Sequence, residues 1–396
     1  MRITVSVGGT FHAFRLAEQL DRRGLLCRLV ATHRPLRGER ISPGRIVANP
    51  LPEVLMRGPR MLGLPWRAGD HLKAVAFDRW ASRHVGGCDL LVAFASFSLL
   101  SLRAARCAGA RTVLERGSTH IETQCALLAE EYRRWGLEAP PVDRRLVERQ
   151  LREYDEADYV CVPSRFALRT FLERGFPRDR LLHVPFGVDL RRFSPGPSPG
   201  RPFRVVAAGV SVRKGTPDLL EAVARMKVPD VELWLAGAVP RDLAPVLRRA
   251  PVPFRLLGAL SHAELAEVYR HASVFALPSV EEGLALVLLE AMASGLPVVA
   301  TPNTGAEDVI ADGREGLLVP ARDPASLSRA LLALYEDEDR RRAMGQAAAR
   351  AAAAWTWDAY GDRAVRAYGE ILHGRSRGAG DEDADRRAPV PGRAVR

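Results

Sequence analysis

Apolar positions along the chain follow two alternating rhythms. Short runs with strand character occur at ITVSV (3–7), LLCRLVAT (25–32), DLLVAFA (89–95), RTVLE (111–115) and DYVCV (158–162). Between them the apolar period lengthens to that of a helix. In residues 11–24, Ala13, Leu16, Ala17 and Leu20 share one face before Gly24 stops the pattern, and further helices are predicted at about 119–135 and 143–155. Strands alternating with amphipathic helices predict an α/β chain with doubly wound parallel sheets.

Residues 194–202, SPGPSPGRP, break this rhythm with four prolines and two glycines, a composition that continues neither a helix nor a central strand. The alternation then restarts. FRVVAAG (203–209), a helix at 216–226, VELWLAG (231–237), FRLLGAL (254–260), a helix at 262–271, SVFALPS (273–279), a helix at 284–294 and PVVAT (297–301) follow in order. The expected organisation is a first domain at 1–193, a linker at 194–202 and a second domain at 203–354, with helices across 324–354 and an amphipathic helix at 355–372. The tail 374–396 is polar and rich in Gly and Pro, and reads as disordered.

Composition narrows the class. With 396 residues, 47% of them hydrophobic, the chain exceeds a single small module and has the material for sizeable cores. The formal net charge of +11 lies entirely in the first half: residues 1–200 hold 32 basic and 21 acidic side chains, and residues 201–396 hold 26 of each. Such asymmetry predicts a basic surface on the first domain facing something acidic. No helix-turn-helix, zinc or RNA-module pattern accompanies it, so a nucleic-acid partner is not expected. Five scattered cysteines without metal-ligand spacing suit a reducing cytosol, and MRITVSVGG lacks the order of a signal peptide. The apolar run at 90–102 is shorter than the roughly 20 residues of a spanning helix, so any membrane contact is expected to be peripheral.

Candidate chemistry concentrates at SVEEGLALVLLEAMASGLPVVAT (279–301). Glu290 is the only charged residue between Gly283 and Ala306, and an isolated acid in an apolar helix needs a partner. A helix starting near Leu284 would point its first amides at an anion, with Glu290 about 9 Å down the axis at ~1.5 Å per residue. That spacing suits a nucleoside diphosphate, its ribose on Glu290 and its terminal substituent on Glu282. A solvated helix-start acid and an internal salt bridge are the structural alternatives. In VVAAGVSVRKG (205–215), a strand, Gly209 and the Arg213–Lys214 pair precede a helix, an arrangement that would set a basic group on a diphosphate. Lys214 is one of only three lysines among 58 basic residues, which favours a positional need for a compact charge. Gly8 and Gly9 allow close backbone approach after the first strand, but G-x-G-x-x-G is absent and the second strand ends in Ala-Thr-His, which disfavours a dehydrogenase. His120 is expected near the carboxyl edge of the first sheet, where it is either structural or part of a cleft.

Taken together, GG after the first strand, SRFALRTFLERGFPRDRLLHVPFGVD, the linker, the RKG turn, LGALSHAELAEVYRHASVFALPS and EEGLALVLLEAMASGLPVVAT resemble family 4 glycosyltransferases. The resemblance spans roughly 1–372 and includes the E-x7-E pattern as Glu282 and Glu290. It implies a GT-B fold, two Rossmann-like domains facing across a cleft, with residues 355–373 crossing back to the first. It further implies retaining transfer from a nucleotide-sugar donor. Glu290 would bind ribose, and Glu282 the donor sugar with the amides of Gly283, Leu284 and Ala285. Lys214 and Arg213 would hold the diphosphate, Gly209 and Gly258 belong to the same donor site, and Gly8 and Gly9 approach the phosphate. His120 would contact the transferred sugar. The family often carries Arg directly after the glycine of the basic turn, where this chain has Val210, so Arg213 is the substitute. Neither Asp337-Glu338-Asp339 nor the acidic string of the tail follows a strand, so no metal is expected.

The acceptor is expected to be lipid-linked or another surface-glycan intermediate. Residues 34–67 mix seven arginines and two glutamates with Leu51, Val54, Leu55, Met56, Met61, Leu62, Leu64 and Trp66, which suits either an anionic lipid surface or an ordinary exposed loop. A nucleotide-sugar epimerase and a non-catalytic nucleotide-sugar-binding subunit are the competing functions.

Overall fold

The computed structural model describes residues 1–35, 38–54, 69–140, 142–196 and 200–374. The first domain is built on a seven-stranded sheet of β1 (Ile3–Val7), β2 (Leu26–Ala31), β3 (Ile46–Ala48), β4 (Leu90–Phe94), β5 (Arg111–Glu115), β6 (Tyr159–Val162) and β7 (Leu181–His183), in the order β3-β2-β1-β4-β5-β6-β7. The second carries six strands: β8 (Phe203–Ala208), β9 (Val231–Ala236), β10 (Arg255–Gly258), β11 (Val274–Leu277), β12 (Val298–Ala300) and β13 (Gly316–Leu318), in the order β10-β9-β8-β11-β12-β13. Neighbouring strands pair in parallel in both sheets. All five residues of β1 and all four of β11 are buried, as expected where helices cover both faces.

Strand order reverses beside β1 in the first sheet and beside β8 in the second. In doubly wound sheets the crevice for a ligand opens at the carboxyl ends of the strands where this reversal occurs. Those ends carry the Gly8-Gly9 turn, the turn Gly209–Lys214 and the segment Ser279–Glu282 that follows β11. Topology alone therefore brings together the motifs singled out in the sequence.

The edge strands β3, β7 and β13 have three residues each, too few for an alternating pattern to register in the sequence. The string Asp337-Glu338-Asp339 starts a helix: the Asp337 carboxylate accepts from the Arg340 amide, and Glu338 pairs with Arg342. The tail beyond Gly374 lies outside the described residues. So do 36–37 and 55–67 of the arginine-rich segment and 197–199 of the linker. Among the described residues no helix is long and apolar enough to cross a membrane.

Among the contacts that hold the domains together, two are made by helices that cross the boundary. The helix Trp357–Leu372, capped by Thr356, lays Tyr360, Ala364, Ala367, Tyr368 and Ile371 onto the first domain, and Asp358 and Asp362 pair with Arg22 and Arg23. Where the chain crosses over, the Val188 amide donates to the Trp355 carbonyl at 2.8 Å. In the opposite sense, the helix Ile121–Arg134 of the first domain runs onto the second. Tyr132 is buried in the second domain's core, Trp135 and Leu137 pack against it, and Arg134 pairs with Asp218 at 2.7 Å.

Candidate functional site

Between the domains lies a cavity of about 410 Å³. Its second-domain wall is made by Arg213, Lys214, His262, Glu282, Leu284 to Val287 and Glu290. Its first-domain wall is made by Thr10 to His12, Gly117 and the crossover residues 186–189.

The basic turn takes its shape from glycine. Gly209 has φ +90°, and a Cβ there would sit 2.9 Å from Lys214 Cε, so the glycine makes room for the lysine stem. The stem leads Nζ to 2.7 Å from Glu282 Oε1. Val210, where the family often has arginine, is buried in the second core. Arg213 enters the cleft instead: Nη2 lies 3.2 Å from Glu282 Oε2, and Nε donates at 2.8 Å to Glu281 Oε2. Burial opposes the guanidinium charge, and the carboxylates of Glu282 and Glu281 override it.

The expected helix is shorter at its start. It spans Leu286–Ala293, and the Ala285 amide donates to the Thr304 carbonyl at 3.1 Å. Ala285 therefore lines the cavity without offering an amide to an anion, a correction to the sequence expectation. Gly283 has no room for a side chain: a Cβ would lie 2.1 Å from the Gly117 carbonyl oxygen of the other domain. Its own carbonyl accepts from Ser164 Oγ. Glu290 sits one turn into the helix, 9% exposed, with His262 Nε2 at 3.9 Å from its carboxylate.

Gly8, Gly9 and Gly258 are not lining residues of the cavity. The space beside Gly8 is filled by the Phe97 ring, and that beside Gly9 by Phe11. The two residues turn the chain so that Thr10, Phe11 and His12 form the wall. Gly258 closes β10, and its carbonyl accepts from the Gly237 amide.

His120 is not brought to the cleft. It is buried at the start of its helix between the rings of Tyr154 and Phe171, with centroids at 5.1 and 4.9 Å. Burial and the charges of Arg174 and Arg116 push its pKa down to about 4. The loop after β5 turns inward there, which sequence position cannot reveal.

Two residues that the sequence reading passed over are central. His12 lines the cavity; its Nε2 lies 3.4 Å from the buried carboxylate of Glu115, and its ring packs on Phe186 at 4.2 Å. Phe-His two residues past the double glycine was the available signal. Glu281 is completely buried and ties the domains together. It accepts from Ser118 Oγ, from the amide and hydroxyl of Thr119 and from Gln124 Nε2, all first-domain groups, besides Arg213. Burial alone would raise its pKa, but Arg213 and these donors hold it down to about 2. Its neighbour in a double acid was the signal here, obscured because its distinguishing partners belong to the other domain.

Two Rossmann-like sheets facing a shared cleft, with a basic turn and paired acids on one wall, define the GT-B architecture. Residues 7–192 match the family described as Glycosyltransferase Family 4, and residues 202–337 match Glycosyl transferases group 1. Between them these two glycosyltransferase models match most of the chain, one in each domain. It is 30% identical over 277 residues to a D-inositol 3-phosphate glycosyltransferase of Corynebacterium urealyticum, covering 63% of this chain and 65% of that protein. It is 33% identical over 251 residues to a GDP-mannose-dependent alpha-(1-6)-phosphatidylinositol monomannoside mannosyltransferase of Mycolicibacterium smegmatis, covering 56% and 63%. The match thus spans a little under two thirds of these relatives' length. Among solved structures, sucrose-phosphate synthase from Thermosynechococcus elongatus superposes with a TM-score of 0.70 at 20% identity, over 94% of this chain and all of that one. Anabaena Alr3699/HepE in complex with UDP-glucose superposes with 0.66 at 17%, over 93% and all of that chain. Both share the fold.

Proposed function

We propose that the protein is a retaining glycosyltransferase that moves a sugar from a nucleotide-sugar donor to a phosphorylated or lipid-linked polyol or glycan acceptor. The observation that carries this reading is the convergence of Lys214, Arg213, Glu282 and Glu290 on one wall of the interdomain cavity. Glu290, with His262 beside it, takes the ribose hydroxyls. Lys214 and Arg213 meet the diphosphate, whose charge grows as the bond to the sugar breaks. Glu282, which pairs with both cations, offers its oxygens to the sugar hydroxyls when the diphosphate takes the cations over. These residues supply the charge the leaving group needs, and the proposed chemistry runs without a metal.

The acceptor class follows from the company the chain keeps: relatives named for inositol phosphate and phosphatidylinositol mannoside, together with a basic first domain. Leu51 and Val54, at 62% and 59% exposure, lie within the arginine-rich segment and suit peripheral contact with an anionic bilayer. Not all of that segment is available to lipid, since Arg45 pairs with Asp21 and Glu53 with Lys73 inside the domain.

The test is diphosphate release from UDP-glucose and GDP-mannose, with and without inositol 3-phosphate or vesicles containing phosphatidylinositol. Release that depends on acceptor supports transfer. Sugar isomerisation without acceptor would make the protein an epimerase, and binding of UDP or GDP without turnover would make it a binding subunit.

A further inference from the structure

A second cavity, of about 630 Å³, opens where the linker meets the second domain, and it shares no lining residue with the interdomain cavity. Four arginines line it, Arg270, Arg341, Arg342 and Arg350, and among the described residues no acidic side chain does. Two carboxylates serve three of these cations. Glu267 pairs with Arg270, while Glu338 pairs with Arg342 and stands 3.8 Å from Arg341. Arg350 has no partner among the described residues. Arg342, Gln346 and Arg350 follow one another at four-residue spacing on the helix Glu338–Ala352, so they share a face. Arg341 is 6% exposed, donates to the Leu334 carbonyl at 2.7 Å and lies over the Phe203 ring. Burial and the charges of Arg342 and Arg201 push its pKa down, against the pull of Glu338 and Asp337. The walls are close-fitted through glycine. A Cβ on Gly345 would lie 2.2 Å from the Gly295 carbonyl oxygen, and one on Gly196 of the linker 2.7 Å from Arg270 Cγ.

We propose that this arginine-lined cavity is a binding site for a phosphate-bearing ligand, separate from the nucleotide-sugar site and independent of the transferase reading. The cations outnumber the carboxylates that answer them, and a phosphate dianion supplies the missing charge in one group. Its oxygens match the planar fork of a guanidinium and can engage more than one arginine at once, which a single carboxylate does less well. Arg270 ends the helix His262–Arg270, beside the linker, and Arg342 and Arg350 belong to the helix Glu338–Ala352. An anion seated between them joins the linker wall to that helix. The pair of Arg342 with Glu338 is about half exposed on both sides, so it is weak in water and gives way to a dianion at little cost. The same phosphate chemistry is carried by a small soluble ester and by the head group of an anionic lipid, and the exposure of Arg342 and Arg350 admits both.

The experiment titrates the full chain calorimetrically with inorganic pyrophosphate at fixed ionic strength, and measures its sedimentation with vesicles containing phosphatidic acid. Lys214→Ala removes the cation expected to hold pyrophosphate in the interdomain cavity, so the binding that remains in this variant reports the second site. Adding Arg342→Gln and Arg350→Gln, both on exposed residues that the fold does not need, is expected to weaken that remaining binding by about tenfold or more. Arg342→Lys with Arg350→Lys keeps the charge but not the fork, and recovers part of the loss. Pyrophosphate binding of this pattern without sedimentation identifies a soluble phosphate ester. Sedimentation that the Arg342→Gln, Arg350→Gln chain loses identifies a lipid head group, and both results carry the inference. Pyrophosphate binding abolished by Lys214→Ala alone and untouched by the arginine substitutions overturns it, because the anion then goes only to the interdomain cavity. So does binding of neither probe, and the transferase reading survives both of these outcomes.

Discussion

Gly283 and Gly117 meet backbone to backbone across the domain boundary, so closely that a Cβ on Gly283 would lie 2.1 Å from the Gly117 carbonyl oxygen. One residue before Gly283 is Glu282, and three residues after Gly117 is the buried His120. Gly117 and Glu282 both line the cavity, so this tight contact lies at its wall.

Gly283→Ala is expected to push the domains apart, because the neighbour it meets is backbone and cannot rotate away. The variant should bind free UDP or GDP through the second domain and lose most of its turnover. Small-angle scattering checks it: the radius of gyration rises relative to wild type, and an unchanged profile refutes the prediction.

Glu281 should make closure sensitive to acid. Its pKa in the fold, about 2, lies below the unfolded value of 4.5, so its contribution is complete above pH 4.5 and is lost as pH falls from 4.5 toward 2. At about 1.4 kcal/mol per unit this amounts to about 3 kcal/mol. Urea unfolding of wild type and Glu281→Gln across that window reads it: the difference in stability between them should shrink toward low pH.

Lys214→Ala should lower turnover by about 10²- to 10³-fold, the usual cost of removing a group aimed at developing charge. On the proposed role, in which the lysine meets the outer phosphate, affinity for UDP or GDP should fall more than affinity for the matching monophosphate. Equal losses for both nucleotides would place the lysine elsewhere. Lys214→Arg is not expected to restore the rate, because the planar fork does not follow the narrow path over Gly209.

His120→Phe should leave turnover close to wild type while changing acid stability. The neutral ring is kept in the fold with a pKa of about 4 against an unfolded value of 6.5, so the unfolded chain binds the extra proton as pH falls from 6.5 toward 4. Wild type loses stability there by about 3 kcal/mol through this group, and the Phe variant does not. Unfolding midpoints at pH 7, 5 and 4 decide it. A large drop in kcat with unaltered stability would return His120 to the site.

The basic character of the first half acquires a second meaning in three dimensions. Arg134, Arg165 and Arg169 of the first domain pair with Asp218, Asp308 and Glu307 of the second. Part of the asymmetry is thus complementarity between the two halves of one chain.

Sequence by itself determined the two parallel sheets and placed Lys214, Glu282 and Glu290 in strand-turn-helix units of the second. Alternation of period 2 and period 3.6 reports which elements form. Lys214, Glu282 and Glu290 each lie in a strand-turn-helix unit whose geometry is local, so their approach to the crevice follows from the topology of such units. Which histidine faces the cleft was decided only by the tertiary structure. The loop after β5 dives between Tyr154 and Phe171 and carries His120 inward, and the turn after β1 brings His12 out against Glu115. The split between Glu281 and Glu282 has the same origin. Glu281 meets donors supplied by the other domain while Glu282 lines the cavity, and the partners that distinguish them are more than 160 residues away in sequence.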